Sequence, residues 1–171
     1  SVFEDTSIDK ISIPSKLINL QDGWCSFTNV LKEIVVDSNN PRYSKYGDNL
    51  IIGKSSIEQE NYDVLVFCNR DVESIVIPNF IKIIGPFSFY NCTKLRSVEF
   101  EKDSQLQIIE KKAFAYSSLE SIKIPSSLKK ICSNSFLSLE NLKKIDIPID
   151  SNLREIDEFA FSFSSIRSIF I

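Results

Sequence analysis

The sequence predicts an α/β repeat solenoid, with a parallel β-sheet on its concave wall, short helices on its convex wall and one inserted β-hairpin. Three observations carry this expectation. One short line recurs: Val72-Glu-Ser-Ile75-Val-Ile77-Pro78, Leu95-Arg-Ser-Val98-Glu-Phe100, Leu119-Glu-Ser-Ile122-Lys-Ile124-Pro125, Leu142-Lys-Lys-Ile145-Asp-Ile147-Pro148 and Ile166-Arg-Ser-Ile169-Phe-Ile171. A phenylalanine returns between these lines, as Phe89, Phe114, Phe136 and Phe161. The intervals are regular: Ile75, Val98, Ile122, Ile145 and Ile169 lie 23, 24, 23 and 24 residues apart, and each Phe follows its strand residue by 14 or 16. A period in the twenties means stacked copies of one small unit, none able to bury its apolar face alone.

Taken in order, the coils start near residues 8, 31, 72, 95, 119, 142 and 166. The first opens with Ile8-Asp-Lys-Ile11-Ser-Ile13-Pro14; Gly23 and Trp24 fall in its turn, and Phe27 is assigned to the Phe column. The second opens with Leu31-Lys-Glu-Ile34-Val-Val36, and then the rhythm breaks, with 41 residues from Ile34 to Ile75. This insertion, near 37–70, begins with the turn-forming run Asp37-Ser38-Asn39-Asn40-Pro41. Its two apolar segments predict hairpin strands near 49–53 and 62–67. Inserted segments of this kind map to loops on one face and carry specificity.

From residue 72 the regular coils resume. In L-x-x-I-x-I the Leu and Ile side chains face inward and the residues between them outward, because strand side chains alternate. Proline ends the strand as Pro14, Pro78, Pro125 and Pro148, since it cannot donate to the ladder. A second apolar pair (Ile81/Ile84, Leu106/Ile109, Leu128/Ile131, Leu153/Ile156) lines the opposite wall. Pro, Ser or Asp then precede the Phe, which suits the first turn of a short helix. A period in the twenties built on L-x-x-I-x-I is the mark of a leucine-rich-repeat solenoid.

Composition excludes several functions. The 171 residues are 43% hydrophobic and 25% charged, as a folded domain requires, and the net charge of −3 gives no general attraction to nucleic acid or anionic membranes. No apolar run approaches the ~20 residues that span a bilayer, and no basic-then-apolar leader opens the chain. With no methionine, and a last residue inside a strand line, the sequence reads as a piece of a longer repeat protein. Cys25, Cys68, Cys92 and Cys132 share no C-x-x-C spacing. Without histidine, a zinc site would need all four thiols, so they read as free thiols filling small buried spaces. No cofactor is implied. Catalysis finds no base: histidine is absent, no Gly-rich phosphate loop or G-x-S-x-G elbow occurs, and serines such as Ser74, Ser97, Ser121 and Ser168 recur by repetition.

Contact with a partner is better served by the outward strand positions. These are Lys10 and Ser12, Glu33 and Val35, Ser74 and Val76, Ser97 and Glu99, Ser121 and Lys123, Lys144 and Asp146, Ser168 and Phe170. Glu99, Lys123 and Asp146 form a row of alternating sign, whose ordinary reading is a solvated ladder worth ~0–1 kcal/mol per pair. Val35 and Val76 flank the insertion, where the hairpin can extend an apolar patch. Phe170 would be covered by a following coil. Asn91-Cys92-Thr93 is the one N-x-[ST] sequon, and equally a turn asparagine. The protein-binding candidates are therefore Val35, Val76, Ser97, Glu99, Lys123 and Asp146.

At these motifs the chain resembles the BspA-like leucine-rich repeats, which share the I-x-I-P strand, the A-F or S-F pair and the alternating period, and lack an Asn ladder. Asn39-Asn40-Pro41-Arg42-Tyr43-Ser44 resembles their insertion, and the stretch Phe80–Cys92 is most similar to trichomonad surface proteins of this type. The resemblance implies a cell-surface protein that adheres to host cells, matrix proteins or other microbes; with no catalytic base in the sequence, the expected function is non-enzymatic recognition of a protein or glycan through the concave sheet and the inserted hairpin. Two alternatives stay open: an architectural spacer, and an intracellular scaffold, which free cysteines would suit.

Overall fold

Each strand line builds a wall because its inward residues bury only against the same residues of the neighbouring coil. The computed structural model describes residues 3, 6–28 and 31–170, Phe170 by its backbone alone; Ile171, the end of the last strand line, and the Phe170 side chain lie outside the described set. The front wall consists of β1 (Lys10–Ile13), β2 (Glu33–Val36), β6 (Ser74–Ile77), β8 (Ser97–Phe100), β10 (Ser121–Lys123), β12 (Lys144–Asp146) and β14 (Ile169–Phe170). They form two parallel sheets, β1–β2 and β6–β8–β10–β12–β14, in the register the repeat expects: Ile75 beside Val98, Val98 beside Ile122, Ile122 beside Ile145 and Ile145 beside Ile169.

The second wall is a seven-stranded sheet. Four two-residue strands, β7 (Ile83–Ile84), β9 (Ile108–Ile109), β11 (Lys130–Ile131) and β13 (Glu155–Ile156), are parallel and come from the second apolar pair of each coil. The insertion completes this sheet with β3 (Tyr43–Tyr46), β4 (Leu50–Gly53) and β5 (Val64–Cys68). β4 runs antiparallel to both β3 and β5, and β5 pairs in parallel with β7.

The third wall corrects an expectation. Among the described residues no helix forms around the phenylalanines. Instead the N–H of Ser88, Tyr90 and Cys92 closes turns onto the carbonyls of Gly85, Phe87 and Phe89. The alternate N–H groups of Phe87, Phe89 and Asn91 donate to Lys111, Ala113 and Ala115 of the next coil. Lys112, Phe114 and Tyr116 do the same to Ser133, Ser135 and Leu137. An α-helix would consume all these donors internally, so a ladder between coils and a helix exclude each other. The backbone turns left-handed two residues before and two after the central Phe: Phe87 and Asn91, Lys112 and Tyr116, Asn134 and Ser138, Phe159 and Phe163. The central rings stack as a spine, with centroids 4.7 Å (Phe89–Phe114), 5.2 Å (Phe114–Phe136) and 5.3 Å (Phe136–Phe161) apart.

That signature also corrects the first coil. Gly23 and Phe27 are its left-handed residues, so the spine position between them is Cys25, which is buried, while Phe27 is 43% exposed. Cys25 lies 14 residues after Ile11, the same interval as Ile75 to Phe89.

The insertion is larger and deeper than a surface hairpin. The two expected strands are present, but β3 adds a third, and β4 is buried along its whole length. Leu50, Ile52, Leu65 and Cys68 join the core of the regular coils, whereas Tyr43, Ile51 and Phe67 join a second core with Ile13, Trp24, Leu31 and Ile34. The meander is thus a partition, apolar on both faces, as strands buried on two sides must be. Gly85 lets it approach the third coil: a Cβ there would lie 2.8 Å from the Leu65 carbonyl oxygen.

Candidate recognition surfaces

The front wall presents the six expected contact residues, though not as one patch. Ser97 sits beside Ser74 and Ser121, Val76 beside Glu99, and Lys123 beside Asp146. Val98 and Ile122 are in register, so Glu99, Lys123 and Asp146 follow one another across the sheet. Among the described residues no ion pair joins Glu99 to Lys123 or Lys123 to Asp146; Asp146 instead lies 3.6 Å from Lys144 on its own strand. Val35 and Val76 are exposed, at 39% and 51%, but they stand on separate sheets. Between those sheets Lys45, Asp48, Asn49 and Asn69 line a shallow pocket.

Behind the wall, at the seam between meander and third coil, lies a larger feature. A cleft of about 760 Å³ opens between the turn that ends β4 and the loop that follows β6. Tyr46, Tyr62 and Phe80 supply its apolar surface, with Asn61, Glu60 and Gln105 among its polar residues. Asp63 fixes the turn: its carboxylate accepts from the Ser55 N–H and Ser55 Oγ, both at 2.8 Å, and from Gln59 Nε2 at 3.2 Å. The Lys82 and Ile83 N–H groups bond the Asp63 carbonyl and tie the turn to the coil.

Deeper still, Arg70 is a buried cation at 5% exposure. Its Nη1 donates to the Ser88 carbonyl at 3.0 Å and lies 3.3 Å from Cys92 Sγ; its Nη2 lies 3.7 Å from Cys25 Sγ. The guanidinium stacks 4.5 Å from the centre of the Phe67 ring. Burial pushes the Cys25 thiol up to about 11, outweighing the nearby guanidinium, and raises Cys68 and Cys92 as well. The thiols thus stay neutral, and the cluster ties the first coil to the third. Among the described residues no group of three Cys, Asp or Glu side chains could hold a metal.

The family model for the BspA type leucine rich repeat region matches residues 1–59 and 60–171, in six copies. The chain belongs to the BspA-type leucine-rich-repeat family. A search of the curated proteins by sequence found no match. Among solved structures, the BspA-type chain is similar to a leucine rich cell surface protein from Faecalibacterium prausnitzii, with 22% identity and a TM-score of 0.59 over 94% of this chain and 52% of that one. It is also similar to the pneumococcal vaccine antigen PcpA, at 22% identity and TM-score 0.53, covering 74% of this chain and 38% of that one. A leucine-rich repeat protein from Bacteroides ovatus gives 18% identity and 0.52 over 89% and 34%. All three likenesses concern the fold, and the chain spans between about a third and about half of each relative.

The cleft and the Arg70 cluster are invisible to repeat reading. Both are assembled from insertion residues placed against residues of other coils, and no period encodes that contact. In the sequence only the break in the repeat between Ile34 and Ile75 marks their place.

Proposed function

We propose that this BspA-type chain is a non-catalytic recognition protein of a cell surface, binding a protein or glycan of a host cell or another microbe. The observation that carries the reading is the front wall: a hydrogen-bonded parallel sheet whose inward residues are core and whose outward residues repeat in register, free to be read by a partner. A sheet fixed by its own core contributes little ordering cost on binding. The description of one structural relative as a cell surface protein supports the location.

The test is binding of the 171-residue chain to host-cell surfaces and immobilised matrix proteins. It is run beside a variant combining Glu99→Lys with Lys123→Glu, which leaves the core untouched. Saturable binding, weakened about tenfold or more in the folded variant, is the expected result. No saturable binding by the unaltered chain would overturn the reading. Excision of Leu50–Phe67 is unsuitable as a probe, because those strands divide and complete the two cores.

A further inference from the structure

We infer that the cleft between the meander and the third coil is a binding site for a neutral oligosaccharide. The inference rests on the recognition reading and names the chemistry of one partner. The cleft is open to solvent along one side, and its volume of about 760 Å³ is in the range of small-ligand clefts. A sugar ring offers an apolar C–H face and a rim of hydroxyls that both donate and accept. The cleft matches each part. Tyr46, 40% exposed, and Tyr62 offer aromatic surface to the ring faces. The side-chain amides of Asn61 and Gln105 make no hydrogen bond among the described residues, and an amide is the side chain that both donates and accepts.

Charge gives acidic partners no advantage. Glu60 and Asp63 are balanced by Lys82 in the lining and by Lys54 over the Tyr62 ring, and the Asp63 carboxylate is turned into its own turn. A sulfated or sialylated glycan, or a nucleic acid, would find no net attraction there. The aromatic groups and the turn backbone are also held in place before any ligand arrives. Tyr46 packs edge-to-face on Phe80 with centroids 5.5 Å apart, Lys54 Nζ sits 5.4 Å over the Tyr62 ring, and Asp63 locks the turn that carries Asn61. Such preorganisation lowers the ordering cost that otherwise cancels weak sugar contacts.

The test is calorimetric titration of the chain with maltohexaose, cellohexaose, mannohexaose and hexa-N-acetylchitohexaose, with heparin and sialyllactose as acidic comparators. Three variants are used: Tyr46→Ala, the double Asn61→Ala/Gln105→Ala, and, as a control, Lys16→Glu at an exposed position of the first coil. Each is first shown to keep its thermal unfolding midpoint. The expected result is saturable binding of at least one neutral hexasaccharide, weakened about tenfold by each cleft variant and unchanged by Lys16→Glu. Three results would overturn the inference: no neutral sugar saturating at about millimolar concentration, binding indifferent to the cleft variants, or a preference for heparin. If cells are bound through Glu99 and Lys123 while no sugar binds, this inference fails alone. If neither cells nor sugars are bound, the recognition reading fails with it.

Discussion

Arg70 occupies the place where the ring spine is interrupted. The second coil has no Phe turn of its own, and between Cys25 and Phe89 the guanidinium fills the gap, stacked on Phe67 and bonded to the Ser88 carbonyl. Three thiols surround it and, among the described residues, no carboxylate pairs with it, so the cation is solvated by dipoles and ring faces. A buried charge held this way is costly, yet it spans two cores that no apolar side chain of similar size would hydrogen-bond together. The thiols give the cluster a pH signature. An unfolded thiol loses its proton near pH 9, whereas Cys25 in the fold keeps it until about 11, and Cys68 and Cys92 are shifted the same way. Above pH 9 the unfolded chain therefore binds fewer protons than the folded one, and stability falls as pH rises. It should be level between pH 7 and 8.5 and drop between 9 and 11, with Cys25 alone accounting for about 2–3 kcal/mol. Urea unfolding across that range measures it, and Cys25→Ala should make the decline shallower by that share while Cys68 and Cys92 keep the rest.

At the scale of the element, the Phe turns are the instructive case. Their periodic Phe was legible in the sequence, and so was its inward aim: Phe89, Phe114 and Phe136 are fully buried. The turn itself was not, because Pro, Ser and Asp before an apolar pair fit a helix start and a turn equally well, and the expected helix does not form. What decides is the ladder between coils, which takes alternate N–H groups and leaves left-handed backbone at Lys112, Tyr116 and their equivalents. Bulky residues at a positive φ cost roughly 1–2 kcal/mol each. Lys112→Gly should therefore raise stability by about 0.5–1 kcal/mol, whereas in a helix the same change would lower it by about 1. The sign of the shift in thermal midpoint separates the two structures. Phe27 shows the same limit from the other side: spacing from Ile11 admitted either 14 or 16 residues, and only the backbone picks Cys25.

For the whole molecule, the repeat positions fixed most of the architecture in advance. Strand register, inward and outward faces and the site of the insertion all follow from the 23/24 period. The role of the insertion did not, since alternation within Leu50–Ile52 and Leu65–Phe67 reads as a two-sided strand only once something lies on both sides. One face completes the core of the regular coils and the other closes the core of the first two. The front-wall residues named from sequence stand where strand alternation puts them. The cleft depends on the fold of the insertion and could not be read from spacing. The meander is an internal wall of the molecule, and hydrogen–deuterium exchange resolved by residue reads this out. The Ile52 and Leu65 amides should exchange as slowly as those of Val98 and Ile122 in the front sheet, opening only with global unfolding. Exchange orders of magnitude faster, at the rate of a frayed surface hairpin, would show that the meander lies outside the core.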